Sequence, residues 1–291
     1  MRLISDERQR GGASPAPAGG APPRPTARRR GPHRWRTWER VSLGLLGILV
    51  LCAILQLVTT VGYTDHDTLP VFTDVVARFA RLFVEPYFYA ALWDTLAAFL
   101  LGIVIATVLG VALGVLFGLS EITYRSSRTT VELLRPIPAT ALIPVMIIIF
   151  GTGLGMKTIL VVFASIWAIL FNALYGVRNV DPLTKDMARC FGLGRFAVIR
   201  RVVLPAALPM IWAGVRISAT VSLIVVITLE LLLGGSVGIG GMIAQARAGQ
   251  NDVLAAYSAI IVAGLLGLLV NIALGAVERR FFAWSTTTRE G

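Results

Sequence analysis

AALWDTLAAFLLGIVIATVLGVALGVLFG, residues 90–118, is a run of helical length and almost wholly apolar composition. About 20 helical residues cross the roughly 30 Å hydrocarbon core of a bilayer, so this stretch reads as a membrane span. Five other windows have the same character: 41–61, 131–150, 158–177, 209–233 and 257–277. Their length, without strict alternation, excludes an outer-membrane barrel, whose strands are about ten residues long. Hydrophobic residues make up 56% of the 291 and charged residues 15%, and the mean hydropathy is +0.75. Such a chain is too apolar for an average soluble domain. The expected fold class is an all-α integral membrane protein with about six transmembrane helices.

A net charge of +11 raises the question of nucleic acid, and the placement of the 27 Lys and Arg answers it. Ten precede the first span (Arg2 to Arg40), Arg125, Arg128 and Arg135 follow the second, six fall between Arg178 and Arg201, and Arg279, Arg280 and Arg289 close the chain. All of these lie on one side of a six-span chain. The other side has Arg78, Arg81, Lys157 and Arg247, and Arg216 falls inside a span. The positive-inside rule then places both termini in the cytoplasm of a bacterial inner membrane protein, and topology accounts for the basic balance without nucleic acid.

Residues 1–40 are rich in Pro, Gly, Ala and Arg without an apolar face, and are expected to form a disordered cytoplasmic tail. No small-residue cleavage pattern follows Val61, so the first span is expected to stay. Residues 62–89 form an external connection and 286–291 a short cytoplasmic tail. Cys52 and Cys190, with His33 and His66, make neither a disulfide framework nor a metal site, and no cofactor is expected. GTGLGMKT at 151–158 approaches a phosphate loop but has Met156 before Lys157 where glycine is required. Gly192, Gly194 and Ala197 fit a dinucleotide spacing, yet no strand precedes them. No catalytic elbow, zinc helix or carboxylate pair appears, so the chain is not expected to be an enzyme.

The connection at 178–208 is long for neighbouring spans and carries DMARCFGLGRFAVIRRVVLPAALP at 186–209. Asp181 is placed to cap a helix that opens on Pro182. Leu183, Met187 and Phe191 recur on one face, and Gly192 supplies a left-handed stop. After Gly194 a second short helix is expected up to Pro205. Two short helices around a glycine turn would form a cytoplasmic knob that either docks a partner or lies on lipid headgroups.

Asp186, Met187, Ala188, Gly192, Leu193, Gly194, Leu204 and Pro205 also resemble the EAA signature of permease subunits of bacterial ABC importers. Asp186 stands where that signature has glutamate, and Met187 where it has the first alanine. LLRPIPATALIPVMIIIFGTG at 133–153, LELLLGGSVGIGGMI at 229–243 and ERRFFAW at 278–284 are similar to the branch that imports sulfonates, taurine, nitrate and related small solutes. The likeness covers residues 90–285. It implies that 178–208 is a coupling loop and that those eight residues grip a cytoplasmic ABC ATPase. It further implies an external substrate-binding protein and a second permease copy, with ATP hydrolysis in the partner subunit.

Within the spans, Pro136, Pro138 and Pro144 interrupt the third and either free carbonyls toward a path or make a packing kink. Glu230, near the external end of the fifth span, is a gate or a structural group. Arg216 is expected to snorkel to the interface. Gly102, Gly110, Gly114 and Gly118 give small-xxx-small spacing suited to helix contact. By analogy with that family, Gly234, Gly235, Gly238, Gly240 and Gly241 suggest a tight external turn feeding a short re-entrant or gate segment. A secondary transporter or channel working without an ATPase is the alternative, but it would call for coupling carboxylates at mid-membrane and an inverted repeat.

Overall fold

The computed structural model describes residues 37–60, 69–235, 237–248 and 252–282. The tails expected to be cytoplasmic, most of 1–40 and all of 286–291, lie outside the described residues, as do 61–68. Every regular element among the described residues is helical. In order they are α1 (Thr37–Thr60), α2 (Phe72–Leu82), α3 (Pro86–Leu119), α4 (Glu121–Leu134), a 3₁₀ turn (Ala139–Leu142), α5 (Ile143–Phe150) and α6 (Leu154–Arg178). There follow α7 (Pro182–Cys190), α8 (Arg195–Val198), a π turn (Ile199–Val203), α9 (Leu204–Leu233), α10 (Ile239–Ala248) and α11 (Val253–Phe281). The chain divides into two units, Met1–Leu49 and Val50–Gly291, and all elements after α1 belong to the second.

Four helical runs have the length and hydropathy of a membrane span: α3, α6, Arg195–Leu233 and α11. A bent pair, Glu121–Leu134 with Ala139–Phe150, passes the same test only when its two helices are taken together, as a broken span or a re-entrant loop. The third expected span, 131–150, is therefore not one straight helix: its halves meet at 75°. Pro136 and Pro138 cause the break, because neither ring can donate to a carbonyl one turn back and each disfavours helix in the residue before it. Pro138 instead holds the extended N-cap of the 3₁₀ turn, and Pro144 sits in the first turn of α5, where a missing N–H costs nothing. The segment 62–89, expected as an external connection, contains α2 and the first turn of α3.

A larger correction concerns the second half of the knob. The short helix expected after Gly194 does not end at Pro205 but continues into the fifth span, as one run over Arg195–Leu233. The π turn explains this. The Leu204 N–H reaches back to the Ile199 carbonyl, one residue further than in an α-helix. The wider turn makes room for the Pro205 ring, and helix carries on through Pro205 and Pro209.

In hydrocarbon, apolar burial gives helices little reason to associate, and close packing takes over. The four glycines of α3 provide it. A Cβ on Gly102 would stand 2.3 Å from Val161 Cγ1, on Gly110 2.9 Å from Ile169 Cγ2, on Gly114 2.6 Å from the Ala173 Cβ, and on Gly118 2.9 Å from Val177 Cβ. Contacts advancing in step along both chains mean that α3 and α6 run parallel at close range. The third helix of the core, α9, runs antiparallel to α6. Ser218 Oγ donates to the Ser165 carbonyl at 2.6 Å, Ser222 and Ser165 hydroxyls bond at 2.6 Å, and all three side chains are buried. Gly214 meets Asn172, completing the seam.

Gly114→Val should separate α3 from α6 and cost about 1–3 kcal/mol, the usual penalty of overpacking. Gly275, with open space around it, is the control: in detergent, Gly114→Val should lower the unfolding midpoint and Gly275→Val should not.

Candidate functional site

The 178–208 connection folds locally as its residues dictate. Asp181 accepts the Leu183 N–H at 2.9 Å as N-cap, with Pro182 in the first turn of α7. The far end closes through Gly192, whose φ of +82° is left-handed. The Gly192 N–H donates to the Arg189 carbonyl at 2.9 Å and the Leu193 N–H to the Ala188 carbonyl at 3.2 Å. These two bonds form a Schellman stop, with Leu193 folded back toward Ala188. Ala188 and Leu193 pack on a core of Ala173, Val177, Val198, Val203 and Ala207. The helix is thus pinned by one face.

Its other face is bare. Leu183, Met187 and Phe191 are 59%, 52% and 85% exposed, and Phe196 beyond the turn is 75% exposed. Asp186 is exposed and pairs with Arg189 at 3.0 Å. Gly194 is the extended N-cap of α8, and Leu204 and Pro205 open α9 after the π turn. Of the eight residues expected to act together, Ala188 and Leu193 therefore face the core, Asp186 and Met187 face outward, and the others shape the backbone.

At the opposite end of the same helices lies a group of charges. Lys157, in the first turn of α6, is 2% exposed, and Glu230, in the last turn of α9, is fully buried. The Lys157 ammonium donates to Glu230 Oε1 at 3.0 Å, to the Val237 carbonyl at 2.8 Å, and to Asp94 of α3. All three of its protons are used. The Glu230 carboxylate also accepts the Thr95 hydroxyl at 2.9 Å and the Gly240 N–H at 3.0 Å, while Thr95 accepts the Ile239 N–H at 2.9 Å. Two glycines let the chain come this close. Gly238 has φ +149°, and a Cβ there would fall 2.2 Å from Glu230 Cδ; a Cβ on Gly240 would fall 2.2 Å from the Ile227 carbonyl. The loop after α9 is thereby laid across the ends of α3, α6 and α9.

Glu230 is thus bound into a charged cluster with residues the sequence reading passed over. Asp94 was counted inside an apolar span and Lys157 left just outside one. The available signal was depth: one lysine and two carboxylates at one level of neighbouring spans are expected to pair. Pro136 and Pro138 lie in the bend between α4 and α5 and Pro144 in the first turn of α5, apart from the groups bonded to Glu230. Arg216 does not snorkel alone; it donates to Asn271 Oδ1 at 3.0 Å and pairs with Glu278 at 2.9 Å, tying α9 to α11.

Residues 102–283 match the family model described as the binding-protein-dependent transport system inner membrane component. The putative aliphatic sulfonates transport permease protein SsuC of Bacillus subtilis (strain 168) is 30% identical over 92% of this chain and 97% of its own. The taurine transport system permease protein TauC of Escherichia coli (strain K12) is 30% identical over 88% of this chain and 94% of its own. The bicarbonate transport system permease protein CmpB of Synechococcus elongatus (strain ATCC 33912 / PCC 7942 / FACHB-805) is 30% identical over 89% and 93%. Among solved structures, an inward-facing conformation of the MetNI methionine ABC transporter superposes with a TM-score of 0.58 at 20% identity, over 68% of this chain and 98% of that one. The fold is therefore that of ABC transporter permeases, and the chain belongs to the family of binding-protein-dependent transport system inner membrane components. It is a transport subunit, the permease of an ATP-driven importer.

Lys157→Met strands two carboxylates, and breaking a buried ion pair in this way costs roughly 3–5 kcal/mol. Combining it with Asp94→Asn and Glu230→Gln should recover most of that loss, because no uncompensated charge then remains. Thermal unfolding of the single and triple variants in the same detergent checks this; a triple variant as unstable as the single one would mean the charges do not act as a unit.

Proposed function

We propose that the chain lines the path of a small solute of the sulfonate, taurine, nitrate or similar kind and works as one of two permease copies. A cytoplasmic ABC ATPase grips the 186–209 segment, an external binding protein delivers the solute, and both termini are cytoplasmic. The relatives named for sulfonates, taurine and bicarbonate support the solute class. A solved alginate ABC transporter of the same fold, with a TM-score of 0.54 at 17% identity, is described in complex with a periplasmic protein.

The observation that carries the coupling role is the bare ridge of Leu183, Met187 and Phe191 on a helix fixed at both ends. Apolar anchors at this spacing on one helical face are the mark of helix-in-groove recognition. The capped ends and the Ala188 and Leu193 contacts hold that ridge in place, so movement of a groove around it is passed to α9 through the unbroken run Arg195–Leu233. Glu230 serves as the external gate in this reading: its cluster clamps the 237–240 loop over the helix ends, and opening the path there requires those bonds to part.

Phe191 makes the cleanest test, since at 85% exposure it supports nothing in its own subunit. Phe191→Asp should leave unfolding of the permease unchanged while weakening its complex with the ATPase of the same locus by roughly thirtyfold or more, the scale of an interface hot spot of about 2 kcal/mol. Pull-down and ATPase activity in proteoliposomes read the result. Undiminished complex formation would remove the ridge from the coupling role.

A further inference from the structure

Behind the bare ridge, α7 presents a different face. Lys185 and Arg189, one turn apart, line a cavity of about 400 Å³ together with Arg195, and its apolar floor is made by Leu119, Val198 and Ile199. The cavity lies where the apolar run of α3 ends and the run into α9 begins. Arg189 is shared with Asp186. Lys185 donates weakly to the Val177 carbonyl at 3.4 Å, and neither Lys185 nor Arg195 has an acidic partner among the described residues. Three cations around one partly apolar recess at the end of an apolar helix suit a negatively charged headgroup: guanidinium and ammonium groups pair with phosphate, and apolar lining suits the start of an acyl chain.

We propose that this cavity is an anion site that binds a phosphate group at the membrane surface, supplied by an anionic phospholipid headgroup or by free phosphate. Occupied, it would neutralise like charges on α7 and α8 and brace the turn at Gly192 from behind, while the ridge stays open to the other side. The proposal does not depend on which protein covers the ridge.

Native mass spectrometry of the purified full-length permease, titrated with phosphatidylglycerol or with phosphatidylcholine, tests it. The natural chain should retain phosphatidylglycerol in preference. Lys185→Gln combined with Arg195→Gln should weaken that binding roughly thirtyfold, since each cation near a membrane surface contributes about a factor of five. Arg200→Gln with Arg201→Gln removes the same charge outside the cavity and should change binding by less than about threefold. Equal retention of the two lipids by the natural chain, or equal loss in both double variants, would overturn the site and leave only diffuse attraction. Excess inorganic phosphate separates the two sources: displacement of phosphatidylglycerol by phosphate at the cavity assigns it to the free anion, and lipid retained in its presence assigns it to the headgroup. The comparison of lipids on the natural chain holds even if a variant fails to fold.

Discussion

Everything else in the structure rests on how near α3 and α6 come to each other. In lipid an interface of leucines gains little, because the solvent is as apolar as the partner, whereas backbones brought together by glycine gain dispersion along their whole length. Gly102, Gly110, Gly114 and Gly118 set that distance over most of α3. Through buried serines and Gly214, α9 joins the pair. The three helices pack as one bundle with a different surface at each end: Lys157 and Glu230 at one, the α7 ridge and the basic cavity at the other.

The Lys157 end uses polar chemistry where the middle uses close packing. A lysine and two carboxylates out of water are expensive, and they persist because every ammonium proton and both Glu230 oxygens are engaged. That gives the end of the bundle a discrete bonded state instead of a sliding apolar contact. The loop after α9 belongs to the same network through Val237, Ile239 and Gly240. It is fastened by hydrogen bonds whose geometry only glycine at 238 and 240 permits.

How much of this was legible depended on whether the cause was local. Asp181, Pro182 and Gly192 act on their immediate neighbours, and their cap, first turn and left-handed stop stand where the sequence placed them. The glycine spacing of α3 likewise carried its meaning, since a helical repeat of small residues has few uses other than contact. Reading failed where a tertiary partner decides. Lys157 beside a glycine-rich stretch has the look of a loop residue until Asp94 and Glu230 are brought to it. Pro205 reads as a helix end, because nothing local announces a π turn at Ile199–Val203. Pro136 and Pro138 were recognised as interruptions, but the size of the bend is set by how α5 packs on α6.

The π turn has a consequence for descent as well as for shape. It is equivalent to one residue inserted into a helix, absorbed by widening instead of looping out. Since each residue of α-helix turns the chain by about 100°, losing that extra residue would swing α7 about the axis of α9 without altering a single side chain on its surface. The direction in which the ridge points is therefore encoded in a count of residues, so an insertion or deletion at 199–203 would re-aim the segment with its surface unchanged.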